Sequence, residues 1–251
     1  MIRVPALFFL VTTLVLAESP LAIPQIADGG GWRSTIAIFN GFSSESAQVN
    51  VKFRSDTGTL QDVSILNYGV VRSLDLELAP NTSIYLETAG VRPGVQVGWA
   101  EINQSAGNIP VRAFAVFRQT IPGRPDYEAV ASGMRASNGL TFPFDNTGGL
   151  TTSFAIANLA NSGCTVGVSP IRDESGRLLA DAPKNVVGLL GGGHAAFIST
   201  DLLPETAGKR GYLQFYPSFG CGAGGLAMIG LRFNPSGPFT NLLPLSVESP
   251  F

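Results

Sequence analysis

Apolar and polar side chains alternate in Val49-Asn50-Val51-Lys52-Phe53 and again in Leu74-Asp75-Leu76-Glu77-Leu78. A period of two turns one face of a strand to a core and the other to water. Ile36 to Phe39, Phe114 to Phe117 and Ala195 to Ile198 are apolar at every position. Such runs predict central strands, covered on both faces. Asp56-Thr57-Gly58, Ala79-Pro80-Asn81, Arg92-Pro93-Gly94, Glu174-Ser175-Gly176 and Gly191-Gly192-Gly193 separate the runs as turn signals. No stretch sustains a helical period beyond a turn or two. The pattern predicts an all-β chain.

Three blocks then recur at one offset. Gly30-Gly31-Trp32 through Asn40 matches Gly148-Gly149-Leu150 through Asn158, Arg54 through Leu60 matches Arg172 through Leu178, and Glu87-Thr88-Ala89-Gly90 matches Glu205-Thr206-Ala207-Gly208. Each shift is 118 residues (158 − 40, 172 − 54, 205 − 87). Three matches in order and in register predict two copies of one module, 22–135 and 140–250, joined through Ser132 to Gly139. They place Asn40 on Asn158 and Gly90 on Gly208. Short strands at this spacing predict a tandem pair of antiparallel β-sandwich modules with immunoglobulin-like topology. In the second copy Cys164, Val166 and Val168 share one face, whereas the repeat register puts Ile171 on the other. Pro170 between them predicts a bulge or an edge strand.

The openings Ala27-Asp28-Gly29-Gly30-Gly31-Trp32-Arg33-Ser34-Thr35 and Phe142-Pro143-Phe144-Asp145-Asn146-Thr147-Gly148-Gly149 carry a resemblance, with the Glu-Thr-Ala-Gly turns and Leu231-Arg232-Phe233-Asn234-Pro235. Nearly the whole chain after residue 17 resembles tandem immunoglobulin-like sandwich modules of uncharacterised exported bacterial proteins. The resemblance implies a secreted sandwich and brings no activity or functional residues. In strand order alone the chain is also similar to the sandwich of sensory-rhodopsin transducer proteins, from which no function is carried over.

The N-terminus sets the expected compartment. Arg3 precedes the uncharged apolar run Leu7 to Leu16, and Val15-Leu16-Ala17 ends on a small residue. This predicts a secretory signal over 1–17, cleaved between Ala17 and Glu18. The run is shorter than the roughly 20 residues a membrane helix needs. Export then predicts a disulfide between the two cysteines, Cys164 and Cys221.

Composition narrows the function classes. Glycine and proline make up 30 and 17 of 251 residues, and charged residues only 14%. Thirteen of the 16 basic side chains are arginine, scattered singly, which gives no basic patch for nucleic acid or an anionic membrane. His194 is the only histidine. A Ser-His-Asp hydrolase would have to use it, but no Gly-x-Ser-x-Gly elbow is present, so it reads as a surface residue at a strand end. Gly220-Cys221-Gly222-Ala223-Gly224-Gly225 has the GxGxxG form but leads into the strand-like Leu226 to Leu231, not a helix. Asp56, Asp62, Asp173 and Glu174 sit near turns without calcium-loop spacing.

Trp32 and Trp99 are the candidate binding residues, as aromatic platforms. Their repeat equivalents, Leu150 and approximately Tyr212, favour packing. Arg118 and Arg232 are expected to anchor loops, with the turn glutamates Glu87 and Glu205 as first partners. The reading that follows is a non-catalytic secreted or surface protein for binding, adhesion or spacing, with no cofactor and no metal. Its partner is unknown, a glycan or a cell-surface protein being the candidates. The alternatives are a secreted hydrolase and an outer-membrane barrel, the last suggested by the shared parity of Leu243, Leu245, Val247 and Phe251.

Overall fold

The computed structural model describes residues 20–42, 44–104, 111–180, 182–221 and 225–246. The expected signal segment, with Ala17 and Glu18, lies outside them, as do Val247 and Phe251. The described chain is all-β.

Sheet A has the order β1 (Leu21–Asp28), β8 (Gln96–Gln104), β3 (Ala47–Arg54), β6 (Ser73–Leu78). Sheet B runs β10 (Tyr127–Ser132), β9 (Val111–Gln119), β2 (Trp32–Asn40), β7 (Ser83–Glu87). Sheet C runs β14 (Lys184–Leu189), β13 (Cys164–Asp173), β16 (Arg210–Phe219), β11 (Leu140–Asp145), β19 (Leu245–Ser246). Sheet D runs β15 (His194–Ile198), β12 (Thr151–Asn158), β17 (Leu226–Phe233), β18 (Phe239–Leu242). A small hairpin, β4 (Val63–Ile65) and β5 (Gly69–Val71), stands apart. Pairing in these sheets is antiparallel throughout, and none of them closes into a barrel. Leu245, one of the residues behind the barrel alternative, instead edges sheet C beside Thr141.

Replacing β1, β2, β3, β6, β7, β8, β9 and β10 by β11, β12, β13, β14, β15, β16, β17 and β18 turns the orders of sheets A and B into those of C and D, apart from the short edge strand β19 of sheet C. The repeated residues keep equivalent places. Asn40 and Asn158 each end a strand and each donate from Nδ2 to the carbonyl of a turn, Ala79 at 3.2 Å and Leu190 at 2.9 Å. Gly90 and Gly208 both have positive φ, 68° and 65°.

Alternation explains the cores. Val49, Val51 and Phe53 of sheet A meet Ile36, Ile38, Ala115 and Phe117 of sheet B in one cluster. Phe142, Phe144, Val166 and Phe215 of sheet C meet Phe154, Ile156 and Met228 of sheet D in a second. The strand β13 bulges between Val168 and Ile171, which brings Ile171 into the same core as Cys164, Val166 and Val168. It is an inner strand, not an edge.

Sheet D is apolar on its other face too. Ala155, Ile229, Leu231 and Phe233 pack on the core of the first half, and Ala157 and Ala227 pack with Ala22 and Trp99. This corrects the reading of Ala195 to Ile198 as central. Strand β15 is an edge strand, and part of its second apolar face is turned toward the other half.

The register also corrects the arginine alignment. Arg33 opposes Arg118 where Thr151 opposes Phe233, and Ser34 opposes Phe117 where Thr152 opposes Arg232. Arg118 and Arg232 are thus one residue out of step and on opposite faces. Arg118 does reach Glu87, at 3.5 Å. Arg232 instead meets Asp145 at 3.6 Å, and Glu205 is held by Lys184 at 2.8 Å.

Candidate ligand cleft between the halves

Two turns build the junction. In the first half the Asp56-Thr57-Gly58 turn follows β3. Arg54, whose Nη1 donates to the Gly58 carbonyl at 2.8 Å, fixes its shape. In the second half Gly191-Gly192-Gly193 leads into β15. A Cβ on Gly58 would overlap the Gly191 carbonyl, so these backbones touch only because no side chain intervenes. The His194 N–H donates to the Asp56 carbonyl at 3.1 Å, and His194 Nδ1 lies 2.8 Å from Asp56 Oδ1. The Trp99 indole N–H donates to the Gly192 carbonyl at 2.8 Å. Arg54, paired with Glu101, lies over the Trp99 ring at 5.9 Å.

Beside this junction the halves leave a cleft of about 240 Å³. Gln25 and Ala27 of β1, Trp32 of β2, Val95, Val97 and Phe117 supply the first wall. Ser153 to Ala155 of β12, Ala196 of β15, and Leu231 and Phe233 of β17 supply the second. Among the described residues no charged side chain lines it. The Gln25 Oε1 is buried, with no hydrogen-bond partner among the described residues. Trp32 is half-buried and stands 5.4 Å from Phe239, which lies 5.4 Å from Phe233, an aromatic group along one side. This chemistry suits contact with apolar surface. Ser153 brings a hydroxyl to the cleft, and among the described residues no histidine or carboxylate lines it to activate that hydroxyl.

The expected residues fall in different places. Trp32 lines the cleft. Trp99 is 1% exposed, with its ring packed among Ala22, Ala157 and Ala227, so neither face is open to a ligand. His194 is a correction: it is buried, not a surface residue, because the Asp56 turn covers it. Its Nε2 has no partner among the described residues, and its side chain has no exposed surface through which a substrate would reach it. Cys164 and Cys221 are joined, with Cα atoms 4.3 Å apart, and the bridge lies in the second core. The GxGxxG stretch leads into β17, a strand, although 222–224 lie outside the described residues.

The turn carboxylates are engaged in side-chain partnerships. Asp62 pairs with Arg72 at 2.6 Å, Glu174 with Arg210, and Asp173 with Ser175 and Arg177. The Ser175 hydroxyl, ahead of the other bonds, holds the Asp173 carboxyl down at about 2. Partial burial pushes Asp145 up, but the Thr147 hydroxyl and N–H with the Arg232 and Arg210 charges outweigh it and hold it below the usual range. Among the described residues no three His, Cys, Asp or Glu side chains gather as a metal site, and no helix is long and apolar enough to cross a membrane.

Sequence reading missed the Asp56–His194 pair and the cleft. One signal was present. At equivalent outward positions the first half has Phe39, Tyr85 and Arg112, and the second has Ala157, Ala196 and Ala227. Small residues on an outward face mark a surface that another layer approaches closely. Comparison with protein-family models, with curated proteins and with solved structures finds no match to this chain.

Proposed function

We propose that the chain is an exported, non-catalytic binding protein of two tandem immunoglobulin-like modules, 22–135 and 140–250, packed into one body. Its ligand is a small apolar molecule, or the apolar face of a larger partner such as a glycan or a cell-surface protein. The observation that carries this reading is the uncharged cleft with Trp32 in its wall. Concave apolar sites with few polar groups are the usual form of small-molecule sites. The repeated strand order supports the two-module reading, and the disulfide supports an oxidising compartment. The enclosure of the only histidine favours binding over hydrolysis.

The neutral probe N-phenyl-1-naphthylamine tests the site. It should bind the wild-type chain with enhanced emission. Ala196→Phe, which fills the cleft from β15, should weaken binding about tenfold while leaving the melting temperature near that of wild type. Equal binding by the two proteins would move the site elsewhere, and no binding by either would remove it.

A further inference from the structure

The contact between the halves is heterologous: around Trp99 the outer face of sheet A meets the outer face of sheet D, and beyond it sheet D packs on the core of the first half. Because both faces belong to a repeated strand order, the chain carries a second copy of each. Neither second copy is covered by the other half.

The uncovered copy of the sheet A face lies on sheet C. Trp99 opposes Arg54 across its sheet, and Tyr212 opposes Arg172 in the same way. Arg172 Nη1 donates to the Gly176 carbonyl at 2.6 Å, as Arg54 does to Gly58. Glu174 stands where Asp56 stands (174 − 56 = 118). The difference is cover. A Cβ on Gly58 would strike the other half, whereas one on Gly176 would meet nothing within 4 Å, and Tyr212 is 38% exposed.

The uncovered copy of the sheet D face lies on sheet B. The Asn40 N–H donates to the Thr82 carbonyl as the Asn158 N–H donates to the Gly193 carbonyl, both at 2.9 Å. Asn81-Thr82-Ser83 therefore takes the place of Gly192-Gly193-His194. Asn81 and Gly192 share a positive φ, 56° and 67°. Trp99 packs on Ala157 and Ala227; the equivalents on sheet B are Phe39 and the exposed Arg112.

We propose that the chain associates head to tail with further copies of itself, the Tyr212 face of one docking on the Phe39, Arg112 and Asn81–Ser83 face of the next. The contacts of the Trp99 seam have chemically competent counterparts. The Tyr212 ring would lie on the Phe39 ring and under the Arg112 guanidinium, an aromatic and a cation–π contact. The Tyr212 hydroxyl replaces the Trp99 indole as donor to a turn carbonyl, now that of Asn81. Glu174 would accept from the Ser83 hydroxyl where Asp56 meets His194. Phe39 and Arg112 are larger than the alanines they replace, so the sheets stand further apart. The external junction also lacks the linker that keeps the two halves at high effective concentration. It is therefore the weaker of the two and depends on concentration. A heterologous contact grows open chains unless its rotation closes a ring.

Sedimentation equilibrium of the oxidised chain, over concentrations reaching about 1 mM, tests this at the weak end of protein affinities. The weight-average mass should rise with concentration. Arg112→Glu and Tyr212→Ala should each hold the chain monomeric with unchanged melting; the alanine removes the ring that Phe39 and Arg112 would hold. An equimolar mixture of the two should form a dimer and stop there, because only one intact junction remains. If either melts early, Tyr85→Glu or Gln214→Glu on the same faces takes its place. A monomer at every concentration would overturn the proposal. So would loss of association in only one variant, which marks a symmetric dimer, or a mixture that stays monomeric. Probe binding in the cleft is independent of all these outcomes.

Discussion

The Trp99 indole N–H and the Gly192 carbonyl, 93 residues apart, meet at 2.8 Å in the buried seam between the two halves. The bond ties sheet A of one half to the turn before β15 of the other. It also fixes the indole between small side chains, where a free aromatic face would otherwise have been a candidate platform.

Trp99→Phe keeps most of the ring and removes the donor. The Gly192 carbonyl then loses its indole partner. The expected cost is about 1–3 kcal/mol, the usual penalty for an unpaired buried polar group. Urea unfolding followed by the emission of Trp32 measures it, and an unchanged midpoint would show that the bond contributes nothing.

The two turn glycines provide a comparison within one chain. Gly58 and Gly176 have φ of 82° and 84°, so alanine is strained at both, by about 1–2 kcal/mol. Only at Gly58 does the new methyl also meet the other half. Gly58→Ala should therefore exceed Gly176→Ala in cost by a further ~1–3 kcal/mol, an overpacking penalty. Equal shifts in melting temperature would mean that the halves separate readily.

The disulfide spans 57 residues and closes a large part of the second half. In the chain-entropy model its removal costs about 4 kcal/mol. Cys164→Ala with Cys221→Ala should lower the denaturation midpoint accordingly, and reduction of the wild type should have a similar effect. If reduction leaves the midpoint unchanged, the second core holds without its bridge.

Asp173 sets a pH dependence with a definite sign. Its carboxyl, held first by the Ser175 hydroxyl, titrates at about 2 in the folded chain, below its ordinary value of 3.8. The folded state thus binds the proton more weakly than the unfolded state does. The stabilisation is fully present above the unfolded value and is lost as pH falls from about 4 toward 2. Asp173→Asn should flatten the acid limb of melting temperature against pH in that window while leaving the neutral region parallel to wild type.

The strands were legible in the chain's alternation, and their recurring order in its internal matches. Alternation in Val49 to Phe53 reflects a local fact, that neighbouring side chains point to opposite faces. The offset of 118 then carries Asn40 onto Asn158 and the Arg54 turn onto the Arg172 turn, which the matching strand order of the two halves reflects. Which outward face is covered depends on packing between distant parts of the chain. Apolar residues on both sides of β12 and β15 signalled burial without naming the layer that buries them. The partners that do so lie 93 and 138 residues away, as Trp99 on Gly192 and Asp56 on His194. A pair that distant leaves no period in the chain. The one-residue slip that separates Arg118 from Arg232 has the same origin. In a strand a single step reverses the face, and only the register of β9 and β17 against their neighbours fixes that step.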